Sequence, residues 1–269
     1  MATIHKLPSL PAVVMDLLAS LAQEDVDIDV LSKKIITDQV LTAKTLKVAN
    51  SPFYGMPRQV SSVTEAIAVL GFHTIRNLVT TAAMVNGIPA STRSGFDVMQ
   101  FWRHSIATAV CANAIATELG DHKSHAYTVG LLHDIGRLVL ATQFPVEYDQ
   151  AMDHRAAHDC TVMAAENVSM GVDHAAVGEA LAQHWKFPPA MQQAIAQHHQ
   201  PANAGPLGTV VCLADAIAHA LDFSGNEDDL VPPLDMLAFT TLALSDAALL
   251  RVFKACEKDF EAACLVLST

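Results

Sequence analysis

Apolar residues recur every three or four positions along most of this chain, and turn residues cut that rhythm into helix-length segments. The first, "LPSLPAVVMDLLASLAQ" (7–23), sets Leu10, Val14, Leu17 and Leu21 on one face, with Pro11 early. In "DIDVLSKKIITD" (27–38) the stripe is Ile28, Leu31 and Ile35, and "VLTAKTLKVAN" (40–50) follows with no strong breaker. "SSVTEAIAVLG" (61–71) carries a capping box, Ser62 with Glu65 three residues on, and closes on Gly71. "TIRNLVTTAAMVNG" (74–87) ends on Gly87. The segment "IPASTRSG" (88–95) mixes Pro, Ser, Thr and Gly, and marks a domain boundary.

Beyond it, "FDVMQFWRHSIATAVCANAIATELG" (96–120) predicts a helix of about 30 Å. Helical periodicity then continues through "HAYTVGLLHD", "IGRLVLATQF", "PVEYDQAMDHRAAH", "VDHAAVGEALAQHW", "PPAMQQAIAQHH" and "TVVCLADAIAHALDF". "FSGNEDDLVPP" (223–233) is an exposed loop, and "SDAALLRVFKACEKDFEAACLVL" (245–267) one long closing helix. The pattern predicts an all-α protein in two lobes, 1–90 as an N-terminal helical bundle and 91–269 as a second helical lobe carrying the C-terminal helices.

Composition supports helices over sheet, with 51% apolar but only 6% aromatic residues. No apolar run approaches the ~18–20 residues that span a bilayer, and "MATIHKLPSLP" lacks a signal-peptide core. A cytoplasmic protein with no membrane partner is expected. The five cysteines (111, 160, 212, 256, 264) form no C-x-x-C pair and read as buried thiols of a reducing compartment. Net charge is −12, yet residues 1–90 are balanced at seven basic and seven acidic side chains. The remainder holds nine basic against twenty-one acidic, which argues against extended nucleic-acid binding. Lys33, Lys34, Lys44 and Lys47 are read as solvated helix faces, with a local basic patch as the alternative.

Charge changes the picture most at "YTVGLLHDIGRLVL" (127–140), where His133 and Asp134 interrupt an apolar run just before Gly136. A buried carboxylate costs several kcal/mol unless a cation, hydrogen bonds or a proton compensates it. Adjacent residues diverge by about 100° on a helix, so this pair would share a metal best at a helix end or bend. His104 in "FWRHS", His174 opening "HAAVGEAL", His198 and His199 ending "AIAQHH", and Asp215 in "CLADAIA" complete an ordered set of imidazoles and carboxylates. Such a set suits metal-assisted hydrolysis, in which a carboxylate bridges two ions ~3.5–4 Å apart. The bland alternatives are a core-edge histidine at 104, a helix-surface acid at 215 and a solvated helix end at 198–199. Histidines 5, 73, 122, 125, 154, 158, 184 and 219 fall in that bland class, Glu166, Glu179 and Lys186 are read as surface charges, and Met99 and Phe101 as core.

In its second lobe the chain resembles the HD superfamily of metal-dependent phosphohydrolases. As a whole it resembles the HDOD branch, the "HD-related output domain". The resemblance rests on "LPSLPAVVMDLL", "ANSPFYG" and "SSVTEAIAVLGFHTIRNLV" in the first lobe, and on "FWRHSIATA", "GLLHDIGRLVL", "HAAVGEALAQHWKFP" and "AIAQHH" in the second. It implies a helical bundle fused to an HD-type lobe and a role as an output or interaction module in bacterial signal transduction, commonly without HD catalysis. It also implies metal ligation by His104, His133, Asp134 and Asp215, with His174, His198 and His199 as the extra histidines of two-metal members. The cofactor would be one or two divalent ions: iron, manganese, zinc, nickel or magnesium. Two departures stand out. Arg137 replaces the lysine that often follows H-D-x-G, and "QPANAGP" replaces the H-H-E…G-Y-P signature, which argues against cyclic-dinucleotide phosphodiesterase activity. In the first lobe the usual Asp-Pro is Asp38-Gln39.

Two functions remain open. One is a regulatory module that binds a signalling protein or small signalling ligand, in which Asn50, Ser51, Pro52 and Gly55 form an exposed loop. The other is a phosphohydrolase acting on a nucleotide or phosphodiester, with Asp134 catalytic and Arg137 contacting phosphate.

Overall fold

The computed structural model describes Met15 and residues 28–88, 95–121, 125–223 and 234–267. The described residues are helical, without strands, as the apolar periodicity requires. They divide into two compact units. One is built from residues within 10–89 together with 257–269, the other from residues within 90–256. The division read from sequence kept residues 257–269 with the second lobe, whereas these units group them with the first. The helix expected over 7–23 lies outside the described residues apart from Met15, as do 89–94 of the expected boundary and 224–233 of the expected loop.

The first unit contains α1 (Ile28–Thr37), α2 (Gln39–Ala49), a 3-10 turn (Pro52–Tyr54), α3 (Val63–Leu70) and α4 (Phe72–Gly87). Asp38 breaks α1 from α2: its side chain accepts from the Val40 and Leu41 amides, capping α2. Ser62 caps α3 through the Glu65 amide, and Glu65 Oε2 returns to the Ser61 amide at 3.0 Å, one residue earlier than a standard capping box. Asn50 holds the exposed loop rigidly, donating to the Val60 carbonyl and accepting from its amide at 2.8 and 2.7 Å. Ile35, Leu41, Val48, Ile75 and Met84 fill the core, and Lys44 Nζ donates to the Val266 carbonyl at 2.9 Å.

The second unit contains α5 (Val98–Glu118), α6 (Ala126–Leu132), α7 (Ile135–Gln143), α8 (Pro145–His158), α9 (Val162–Met170), α10 (His174–His184), α11 (Pro189–Ala196), α12 (Gly205–Ala220), α13 (Met236–Leu242) and the first part of α14 (Asp246–Cys264). Helix α9, capped by Thr161 and ended at Gly171 with φ 71°, was not anticipated from sequence, nor was the short α13 capped by Asp235. Trp102, Ile106, Ile115, Leu131, Leu132 and Ile135 form the core around α5 and α6. Met99, expected in the core, is 51% exposed on the first turn of α5, whereas Phe101 is buried. All five cysteines are free thiols. No single helix among the described residues is long and apolar enough to cross a membrane.

Candidate metal centre

The chain breaks between α6 and α7 at the His133–Asp134 pair. His133 ends α6, and Asp134 occupies the N-cap of α7. Four other aspartates at N-caps in this chain, Asp38, Asp97, Asp173 and Asp235, spend their side chains on the helix amides behind them. Asp134 makes no such bond. It faces inward, 4% exposed, and its carboxylate is committed elsewhere. Gly136 explains how α10 comes close enough to meet it. A Cβ at this position would run into the His174 carbonyl, so only glycine lets the start of α10 sit on the start of α7.

Every site residue expected from sequence converges here. Asp134 Oδ1 lies 3.3 Å from His174 Nε2, 3.4 Å from His198 Nε2 and 3.7 Å from His133 Nε2. His199 Nε2 is 3.0 Å from His174 Nε2. On the other side, Asp215 Oδ1 on α12 lies 3.1 Å from His104 Nε2 on α5 and 3.6 Å from His133 Nε2. The donors fall into two neighbouring groups: Asp134, His174, His198 and His199, and His104, His133 and Asp215. The adjacent His133 and Asp134 are thus divided, one to each group. All but His199 are buried. Arg137 donates from Nη1 to Asp134 Oδ2 at 3.0 Å and from Nε to the Tyr148 hydroxyl at 3.4 Å.

The ring nitrogens are poised as ligands. His133 donates from Nδ1 to the Gly130 carbonyl, His198 from Nδ1 to the Ile195 carbonyl, and His174 from Nδ1 to Glu166 Oε2, at 2.8, 2.7 and 2.6 Å. In the neutral rings each bond leaves Nε2 as the lone-pair nitrogen, and these nitrogens point at one another and at the two carboxylates. Lone pairs 3.0–3.4 Å apart repel unless a proton or cation lies between them. His198 Nε2 and Asp215 Oδ1 are buried, and their contacts of 3.1–3.6 Å to neighbouring carboxylate and imidazole atoms lack good hydrogen-bond geometry, as expected of atoms that would face a cation. Burial opposes charge on His133, but the Asp134 and Asp215 carboxylates outweigh it and raise its pKa to about 9. Burial likewise opposes ionisation of Asp134 and Asp215, yet the surrounding imidazoles, joined at Asp134 by Arg137, hold both well below the usual carboxylate range. Desolvation at its ring and the neighbouring His198 and His174 keep His199 well below the ordinary histidine range, although the residue as a whole is exposed.

Two residues belong to this centre that sequence reasoning put elsewhere. Glu166, read as a surface charge, is fully buried on α9 and accepts from both the backbone amide and Nδ1 of His174. Because α9 itself was missed, the inward face carrying Glu166 went unseen. His219, read as bland, lies one turn beyond Asp215, with Nε2 3.5 Å from Asp215 Oδ1 and its ring 4.5 Å from that of His104. The i,i+4 spacing to Asp215 was the available signal. The other bland histidines described here (73, 125, 154, 158, 184) belong to neither donor group. His5 and His122 lie outside the described residues.

Comparison with known proteins matches the HDOD domain over residues 7–201. The chain belongs to the HDOD family. An HDOD domain protein of unknown function from Geobacter sulfurreducens superposes with a TM-score of 0.81 at 26% identity, covering 98% of this chain and 93% of that one. A Shewanella amazonensis structure bearing the provisional name phosphohydrolase gives 0.75 at 27% identity, covering 97% and 94%. An uncharacterized Treponema pallidum protein is 25% identical over 265 residues, 96% of this chain but 50% of its own length. This HDOD chain therefore spans about half of that relative.

Proposed function

We propose that this HDOD chain is a regulatory module of bacterial signal transduction whose second unit holds a divalent-metal centre of the HD type. The carrying observation is the convergence of Nε2 lone pairs from His104, His133, His174, His198 and His199 on two buried carboxylates, with three Nδ1 positions tied off by acceptors. A nitrogen-rich set of this kind favours iron, zinc or nickel over manganese and magnesium. His174, His198, His199 and Asp134 would hold one ion, and His104, His133 and Asp215 a second. Metal analysis of protein purified without a metal-affinity tag, before and after reconstitution, tests the reading. Stoichiometric metal is expected, and its absence under both conditions would remove the centre. The regulatory role is tested by co-purification, with one specific signalling partner or small ligand expected. A series that returns none would count against it.

A second reading is favoured by the place of Arg137, which binds Asp134 and lies partly open beside the centre. On this reading the chain is a metal-dependent phosphohydrolase, the activity carried in the provisional name of the Shewanella structure. When bound, the ion supplies Lewis-acid polarisation of a phosphoryl oxygen and a water of lowered pKa. Asp134 would anchor the site, and Arg137 would orient the phosphoryl group. Hydrolysis of an aryl phosphodiester should then vanish in His133→Ala and Asp134→Ala while the fold survives. Activity indifferent to both substitutions would reject catalysis at this site.

A further inference from the structure

A cleft of ≈ 560 Å³ opens beside the centre, within the second unit and in the size range of small-molecule sites. His104, Arg137 and Tyr148 line it on the side of the metal centre. Two guanidinium nitrogens of Arg137 are committed, Nη1 to Asp134 and Nε to Tyr148, and these bonds fix the plane of the group. Its Nη2 amino group has no partner among the described residues, and the side chain keeps 25% of its surface exposed. A fixed guanidinium edge with two unspent N–H donors suits a phosphoryl oxygen. Arg155, half-buried, adds a second cation to the lining.

The rest of the cleft has a different character. Phe96 and Met152 form an apolar wall, with the Phe96 ring edge-on to Tyr148 at 5.6 Å and tilted against Phe101 at 5.6 Å. Aspartates 97, 149 and 153 also line it, and all three are exposed. The Arg137 cation therefore sits beside the centre, and the carboxylates toward solvent. Such a gradient admits one anionic group attached to an uncharged body and repels a chain with a charge on every unit.

We infer that this cleft binds a small phosphoester with an aromatic body, phosphoryl group on Arg137 and ring against Phe96 and Met152, and rejects RNA. The inference rests on the metal centre proposed above, because the phosphoryl end abuts His104. Phenylphosphonate, whose carbon–phosphorus bond resists hydrolysis, is the probe, with methylphosphonate as the ringless control and a short oligoadenylate as the polyanion. Calorimetric titration of the metal-loaded full chain should show phenylphosphonate binding at least about tenfold tighter than methylphosphonate. Phe96→Ala should abolish that preference, Arg137→Met should weaken both phosphonates about tenfold when compared at equal metal loading, and Asp149→Asn with Asp153→Asn should raise oligoadenylate affinity. Oligoadenylate binding wild type as tightly as phenylphosphonate, or a ring preference that survives Phe96→Ala, would overturn the inference. So would a metal-loaded chain that ignores phenylphosphonate at millimolar concentration, with the metal centre left standing. A chain that loads no metal overturns the centre and this inference together.

Discussion

Glu166 Oε2 accepts two hydrogen bonds from one residue, the backbone amide of His174 at 2.8 Å and its Nδ1–H at 2.6 Å. The pair fixes both the start of α10 and the ring that helix presents. A carboxylate behind a ligand imidazole orients it and raises its basicity, and loss of such a partner typically costs 10–100-fold in metal affinity. Glu166→Gln should lower affinity by about that factor at the Asp134 group and leave the Asp215 group unchanged, as read by cobalt titration with its ligand-field spectrum. Glu166→Ala should also destabilise the metal-free protein by about 1–3 kcal/mol, because both His174 donors lose their buried acceptor. Unchanged affinity in Glu166→Gln would reduce Glu166 to a packing role.

Gly136 is the second structural condition for the centre. A Cβ there meets the His174 carbonyl, the peptide C of His174 and the Gly178 amide, all backbone atoms that no rotamer change can move. Gly136→Ala should therefore exceed the ordinary overpacking cost of about 1–3 kcal/mol and lose metal binding with it. Gly171 is a useful contrast, since its φ of 71° is followed by open space. Gly171→Ala should cost only about 1 kcal/mol in urea denaturation, without effect on metal content. Equal costs at the two positions would mean that α10 does not need its close seat on α7.

Most of the fold and of the candidate site was legible because each rested on a local signal. Apolar periodicity marked the helices, and an acid and an imidazole in apolar surroundings marked His133, Asp134 and Asp215. Where the signal was weak or reached outside its own segment, reading failed. Helix α9 depends on the Thr161 cap and a positive-φ Gly171 rather than on a clear apolar stripe. Glu166 sits in an unremarked segment and reveals itself only by a bond eight residues on, to His174. The division of His133 from Asp134 depends on how α5, α10 and α12 pack, which no local pattern encodes.

Acidity should leave a clear trace. With the His133 pKa raised to about 9 from an unfolded ~6.5, the folded chain holds a proton that the unfolded chain releases. That contribution is full below ~6.5 and is lost as pH rises through 9. His174 is raised in the same sense: burial opposes its charge, but Asp134 and Glu166 outweigh it. His198 and His199 are lowered, chiefly by burial, and so penalise folding as pH falls below ~6.5. The metal-free protein should thus be most stable near pH 6.5 and weaken toward pH 9, with the alkaline slope reduced in His133→Gln. Metal must displace the His133 proton, so affinity should climb between pH 7 and 9. Affinity flat across that interval would show that His133 carries no proton to displace.

The two carboxylates hold unequal positions, and metal stoichiometry should expose the difference. Among the described residues Asp215 Oδ1 faces the imidazoles of His104, His133 and His219, so Asp215→Asn removes charge from one donor group. Asp134 Oδ1 faces His174 and His198 in its own group and His133 of the other, while Oδ2 holds Arg137. Asp134→Asn therefore weakens both groups and leaves the Arg137 cation facing the imidazoles without its counter-charge. With about two ions expected in the wild type, Asp215→Asn should retain about one and Asp134→Asn close to none. The ion kept by Asp215→Asn should stabilise the fold by about 2.7 kcal/mol when free metal is a hundredfold above its dissociation constant, and a chelator should abolish that gain. If Asp134→Asn keeps one ion while Asp215→Asn keeps none, the linking carboxylate is Asp215, and the assignment of the two groups must be reversed.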